Sequence, residues 1–100
     1  MAYIVSKHGV RRYVRRAAAG WGARQARIVS VSPGIIDTPM GNQEAAAQPL
    51  MAGMVTQTPL PRVGAADEVA AVACFLASRE ASFVSGCDIL VDGGFIATLG

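Results

Sequence analysis

The sequence predicts the α/β class, with parallel strands lying at the edge of a larger sheet and covered by helices. Three observations carry that prediction. Helical and strand patterns follow one another as helix, strand, helix, strand. A strand–helix–strand unit of this length implies parallel strands joined by a right-handed crossover. Two parallel strands do not make a stable sheet alone, and parallel strands need cover on both faces. The chain has 100 residues, 52% of them hydrophobic, so a packed core in one domain or part of one is expected and disorder is not.

The first element is a helix over residues 3–20. Tyr3, Lys7, Val10, Val14, Ala17 and Trp21 recur at steps of four and three, which is one helical face. Arg11, Arg12, Arg15 and Arg16 fall to another side, and Gly20 with Gly22 marks the helix end. A strand follows over residues 27–32, rich in β-branched side chains and closed by Pro33-Gly34. Residues 35–64 are less regular, punctuated by Pro39, Pro49, Pro59 and Pro61, with weak helical signals over 43–48. A long stretch between ordered elements is often functional, for example as a lid. The clearest helix spans residues 66–78. Asp67 and Glu68 fill its first turn, where the helix dipole favours acids, and Val69, Val72, Ala73 and Leu76 form its apolar stripe. The last strand covers residues 87–91 and is stopped by Asp92-Gly93-Gly94.

A net charge of +2 conceals an asymmetry. Residues 1–40 set Lys7 and six arginines against Asp37 alone, whereas residues 41–100 set Arg62 and Arg79 against six acids. The basic half suggests an anionic partner. Tyr13 is the only aromatic within the Arg11–Arg16 cluster, so a solvated helix face is preferred to a nucleic-acid surface. Cys74 and Cys87 form no CxxC pair and the lone His8 is distant in sequence, so a metal site is discounted. The two thiols sit in apolar stretches and are expected to be buried and reduced, consistent with the cytoplasm. No signal peptide is visible, because Lys7, His8 and four arginines interrupt the apolar start. The longest apolar run, residues 69–77, is nine residues, against the roughly 20 that a membrane span needs.

The chemistry of the chain start lies in Tyr3 and Lys7. On a helix, positions four apart share a face. A free phenol titrates near ~10, too high for a base at neutral pH. A neighbouring ammonium favours the phenolate and lowers that value. A tyrosine so tuned can give or take a proton at a substrate oxygen. The lysine adds three donors, enough to hold ribose hydroxyls. The plain alternative is a surface tyrosine beside a solvated lysine, and the pair by itself does not exclude it.

The pair is not alone. Tyr3-x-x-Ser6-Lys7-x-Gly9-Val10 is followed by the run from Ile28 to Met40, IVSVSPGIIDTPM. Then come Arg62-Val63-Gly64, Asp67-Glu68-Val69-Ala70, Phe75-Leu76-Ala77-Ser78 and Val91-Asp92-Gly93-Gly94. In this order and at these intervals the set resembles the C-terminal part of the short-chain dehydrogenase/reductase family, from about Tyr3 to Gly94. The resemblance implies a Rossmann-like doubly wound parallel sheet whose N-terminal half is absent here. It also implies hydride transfer between NAD or NADP and a small-molecule carbonyl or alcohol. It divides the chain into a catalytic helix (3–22), a strand and turn (26–34), a substrate loop (35–64), a helix (65–79) and a terminal strand (87–94). By position, Tyr3 matches the catalytic acid/base. Lys7 matches the lysine that lowers the tyrosine's pKa and holds the nicotinamide ribose. Pro33 and Gly34 match the turn that lies against the nicotinamide. Ile36 matches the residue whose backbone binds the carboxamide, and Thr38 the hydroxyl near the carboxamide and phosphates. The complete enzyme is expected to be a homo-oligomer, with neither nucleic acid nor membrane as a partner.

Three departures accompany the resemblance. The family's Gly-rich dinucleotide loop, its cofactor-choosing residue and its catalytic serine belong before Tyr3, where two residues cannot hold them. Ser30 stands where the family often has Asn. Ala65-Ala66 replaces a Ser/Thr-Pro pair, which removes a capping hydroxyl and is expected to cost about 1 kcal/mol. The expectation is therefore an inactive piece of a reductase. The alternative is a non-catalytic interaction fragment that associates with full-length relatives through exposed apolar faces.

Overall fold

A computed structural model describes the backbone of residues 2–37 and 49–99, and the side chains of residues 9–37 and 52–99. Two compact units emerge, one of Met1–Ser32 with Ala73–Ile89 and one of Pro33–Val72 with Leu90–Gly100.

The first unit opens with helix α1, Ala2–Ala23. It runs straight through Gly20 and Gly22, which corrects the expected stop. An added Cβ at either glycine would meet nothing within 4 Å, so both serve as ordinary, if weak, helix residues. The helix ends instead at Gln25, whose φ is 59°. Its N–H donates to Gly22 C=O and the Ala26 N–H donates to Trp21 C=O, both at 2.9 Å. That is a Schellman cap with glutamine in the left-handed position where glycine is usual.

The inward stripe of α1 also differs from expectation. Val14 is 3% exposed, yet Val10 is 50% exposed and Trp21 44%. Arg11, assigned from sequence to the outer side, is half-buried beside Asp88. The stripe is rotated because its centre is a polar contact, which apolar periodicity does not reveal.

Strand β1, Val29–Pro33, pairs with a later strand, Cys87–Val91. The backbone bonds that flank the pair run from Gly86 N–H to Ile28 C=O and from Gly34 N–H to Val91 C=O, so the strands advance in the same direction. A 3₁₀ turn, Arg79–Ala81, precedes the later strand and buries Ala81. Gly86, with φ 74°, lies where any Cβ would be 3.0 Å from the Ala18 Cβ.

The second unit holds strand β2, Ile36–Asp37, helix α2, Pro49–Gln57, and strand β3, Gly64–Ala65. So the stretch expected to be loop contains a helix and a parallel two-residue ladder, with Ile36 beside Gly64 and Asp37 beside Ala65. Thr58 ends α2 by donating both its N–H (3.1 Å) and its hydroxyl (2.8 Å) to Met54 C=O. The weak helical signal over residues 43–48 lies outside the described residues.

Helix α3, Ala66–Ala77, crosses from the second unit to the first and leads on to strand β4, Cys87–Val91. Val69, Val72 and Leu76 are its half-buried positions, while Ala73 and Cys74 are exposed. The expected burial of both thiols therefore holds only in part, with Cys87 half-buried in β4. Among the described residues only Val14 and Ala81 are buried hydrophobics, and Phe83 is fully exposed. No helix among the described residues is long and apolar enough to cross a membrane.

Candidate active site

Tyr3 and Lys7 sit on the first turns of α1, in the first unit. Their side chains lie outside the described ones. What the backbone supplies is an unbroken helix through both positions, so they stand one turn apart. The same step reaches Arg11, whose Nε is 3.3 Å from Asp88 Oδ2. The other carboxylate oxygen accepts the hydroxyls of Ser30 (2.5 Å) and Ser32 (2.9 Å) from β1. Ser30 and Ser32 share a strand face because side chains alternate along a strand. Sequence reasoning missed this cluster. The available signal was an acid inside an otherwise apolar terminal strand.

Pro33, Gly34 and Ile36 sit in the second unit. The Gly34 N–H donates to Val91 C=O at 3.0 Å, and an added Cβ at Gly34 would come within 2.9 Å of Asp92 Cα. Glycine is required there by the close approach of two backbones. Ile36, expected to bind through its backbone, lies in the β2–β3 ladder. Gly64 N–H donates to Ile35 C=O, and Ala65 N–H is taken by the Glu68 carboxylate. In a parallel ladder of this phase the neighbours of Ile36 face β3, and the N–H and C=O of Ile36 face the opposite edge. A donor and an acceptor side by side fit a carboxamide. Thr38 lies outside the described residues.

The second unit also places Asp92 in a turn just after β4, ahead of a 3₁₀ turn at Ile96–Leu99. Its carboxylate accepts the N–H groups of Gly94 and Ile96, both at 2.9 Å. Gly93 and Gly94 have φ of 66° and 93° and approach Thr58 and Pro59, where a Cβ has no room. The Asp-Gly-Gly motif is thus a structural turn. Beside it lies a cavity of about 410 Å³, floored by Leu60, Leu90 and Val91 and rimmed by Arg62 and Glu68. Among the described residues, Pro33, Gly34 and Ile36, expected to bind cofactor, do not line it.

Arg62 clamps Glu68 through two bonds, of 2.8 and 2.9 Å. Glu68 Oε1 also accepts the Ala65 N–H at 2.8 Å. The hydrogen bonds from Arg62 and then from Ala65 hold the Glu68 carboxyl down at about 2. The acid half of a capping box is thus present, with Glu68 taking the Ala65 N–H, while the hydroxyl half is missing at Ala65.

The family model for enoyl-(acyl carrier protein) reductases matches residues 1–96. The chain belongs to the short-chain dehydrogenase/reductase family. A short-chain dehydrogenase/reductase of Alternaria brassicicola, bsc3, is 47% identical over 100 residues, a match covering 98% of this chain and 36% of that protein. A solved short-chain dehydrogenase/reductase from Mycobacterium ulcerans superposes with a TM-score of 0.87 at 40% identity, covering 96% of this chain and 35% of that one. A solved 4-hydroxyisoleucine dehydrogenase in complex with NADH superposes with a TM-score of 0.84 at 28% identity, covering 96% and 40%. The chain thus spans a little over a third of the length of most of the curated relatives it matches, and 18% of one. The described strands and helices form part of the Rossmann-like fold of that family.

Proposed function

We propose that this chain carries the proton-transfer and nicotinamide-binding part of an NAD- or NADP-dependent oxidoreductase acting on a small-molecule carbonyl or alcohol. The observation that carries the proposal is Tyr3-x-x-x-Lys7 on one unbroken helix, in a chain whose β1 ends in Pro33-Gly34. A bound nicotinamide supplies the hydride to the carbonyl carbon, or receives it in the reverse direction. Tyr3 gives the matching proton to the carbonyl oxygen, so that an alcohol results. Lys7 stabilises the phenolate left behind and holds the ribose hydroxyls. Ile36 would hold the carboxamide through its outward N–H and C=O, Pro33-Gly34 would line the ring, and Thr38 would supply a hydroxyl for the carboxamide and phosphates. The free thiols Cys74 and Cys87 fit a reducing compartment such as the cytoplasm.

The test uses the full-length protein with NADH or NADPH and a panel of small carbonyls. Carbonyl-dependent oxidation of one nicotinamide is expected, and Tyr3→Phe should lower kcat at least ~100-fold. A Tyr3→Phe protein with wild-type kcat would overturn the assignment. These 100 residues alone hold no phosphate-binding Gly-rich loop, and we expect no turnover from them by themselves. A second reading, association without catalysis, is favoured by the exposure of Tyr13, Phe83 and Leu99. It requires a size in solution that grows with concentration in the absence of cofactor, and it also accommodates a homo-oligomer.

A further inference from the structure

We infer that Arg11 and Asp88 are positioning residues that set the axial register of the Tyr3–Lys7 helix against the sheet. The inference rests on the assignment of Tyr3 and Lys7 made above. All the groups involved lie in the first unit. Positions 3, 7 and 11 follow one another at one-turn intervals along α1. Arg11 Nε and Asp88 Oδ2 are buried and have no hydrogen-bond partner among the described residues, so each is held by the ion pair alone. Asp88 Oδ1 gathers Ser30 and Ser32. One carboxylate therefore ties the helix to β1 from its own seat on β4.

A second contact lies two turns along the helix, where Ala18 faces the bare backbone of Gly86, two residues before Asp88. The Ala18 contact sets how closely the helix approaches, and the ion pair sets how far it slides. A buried ion pair is a poor source of stability compared with apolar packing, and its established use is to fix one arrangement among several. Ser30 fits the same account. Its hydroxyl donates to the same Asp88 oxygen as that of Ser32. Tyr3 and Lys7 ride on one helix, so a shift of that helix moves them together and leaves their mutual effect unchanged.

Asp88→Asn in the full-length protein tests this, because it removes the charge and keeps the shape. At a temperature well below its unfolding midpoint, kcat should fall by up to about 100-fold, the scale of a 1 Å misplacement. The pH at which Tyr3 titrates in the rate profile should stay where it is in the wild type. Arg11→Lys, which keeps the cation, should retain most of kcat. If Asp88→Asn does not fold, Ser32→Ala serves as the milder break, with a smaller fall in kcat. A variant that loses stability while kcat stays within twofold of wild type would make the cluster an ordinary structural pair and overturn the inference. Wild-type protein inactive with both nicotinamides would instead defeat the preceding assignment. In that case deuterium exchange decides the tie itself: α1 amides that exchange no faster in Asp88→Asn than in wild type would sink it.

Discussion

The two units each hold an arginine–carboxylate pair, and the pairs differ in kind. Arg11 and Asp88 have side chains 26% and 10% exposed, whereas Arg62 and Glu68 are 56% and 46% exposed. The exposed pair has the better geometry, with two short bonds, yet water screens it. The sheltered pair has one contact at 3.3 Å, yet its carboxylate has little water to fall back on. Removing a partner from the sheltered pair strands a desolvated charge; removing one from the exposed pair returns its mate to solvent. Geometry and consequence are therefore inverted between the units.

The largest effect should come from breaking the sheltered pair. Arg11→Met is expected to lower the unfolding free energy by about 2–3 kcal/mol in a urea titration, somewhat less than for a fully buried pair because Arg11 keeps a quarter of its exposure. The close helix–strand approach beside it gives a second, smaller effect. Gly86→Ala forces a left-handed residue and a 3.0 Å contact with Ala18, and should cost about 1–2 kcal/mol. Gly20→Ala, on the same helix but in open space, should instead gain up to ~1 kcal/mol. Equal effects from the two glycine changes would remove the case for a tight α1–β4 seam.

The exposed pair should show itself through pH. The Glu68 carboxyl lies at about 2 in the folded protein, against an ordinary 4.5. A lowered folded value means stability that is fully present above 4.5 and is lost as the pH falls through about 2. The difference in urea midpoint between wild type and Glu68→Gln should therefore hold steady from pH 7 to 5 and close between pH 4.5 and 2. A difference that persists unchanged at pH 2 would show that the pairing is not its source.

Much of this was legible in the sequence. The order of α1, β1, α3 and β4 followed from periodicity, and the motif set carried the family. The inward stripe of α3 was read correctly at Val69, Val72 and Leu76. Reading failed where polar groups replaced the usual signals. Arg11 looked like one more solvated arginine because its partner lies near the far end of the chain. At Ala65 the sequence showed the lost hydroxyl but not the Glu68 acid that takes the Ala65 N–H from inside the helix. Helix α2 begins at Pro49, without a Ser, Thr, Asp or Asn immediately before it, in a stretch crowded with prolines. Gly20 and Gly22 looked like a stop because glycine is common at helix ends, although the chain turns only at Gln25.

The Asp88 cluster also bears on the order in which the molecule is put together. Its hydroxyl contacts join residues 58 and 56 positions apart, whereas Arg62 and Glu68 are six apart. Closing the longer span costs about 2 kcal/mol more in chain entropy. The first turn of α3 can assemble from its immediate neighbours. Helix α1 takes its final seat only when β4 arrives. The helix that bears Tyr3 and Lys7 thus finds its seat late, after the strand that holds Asp88.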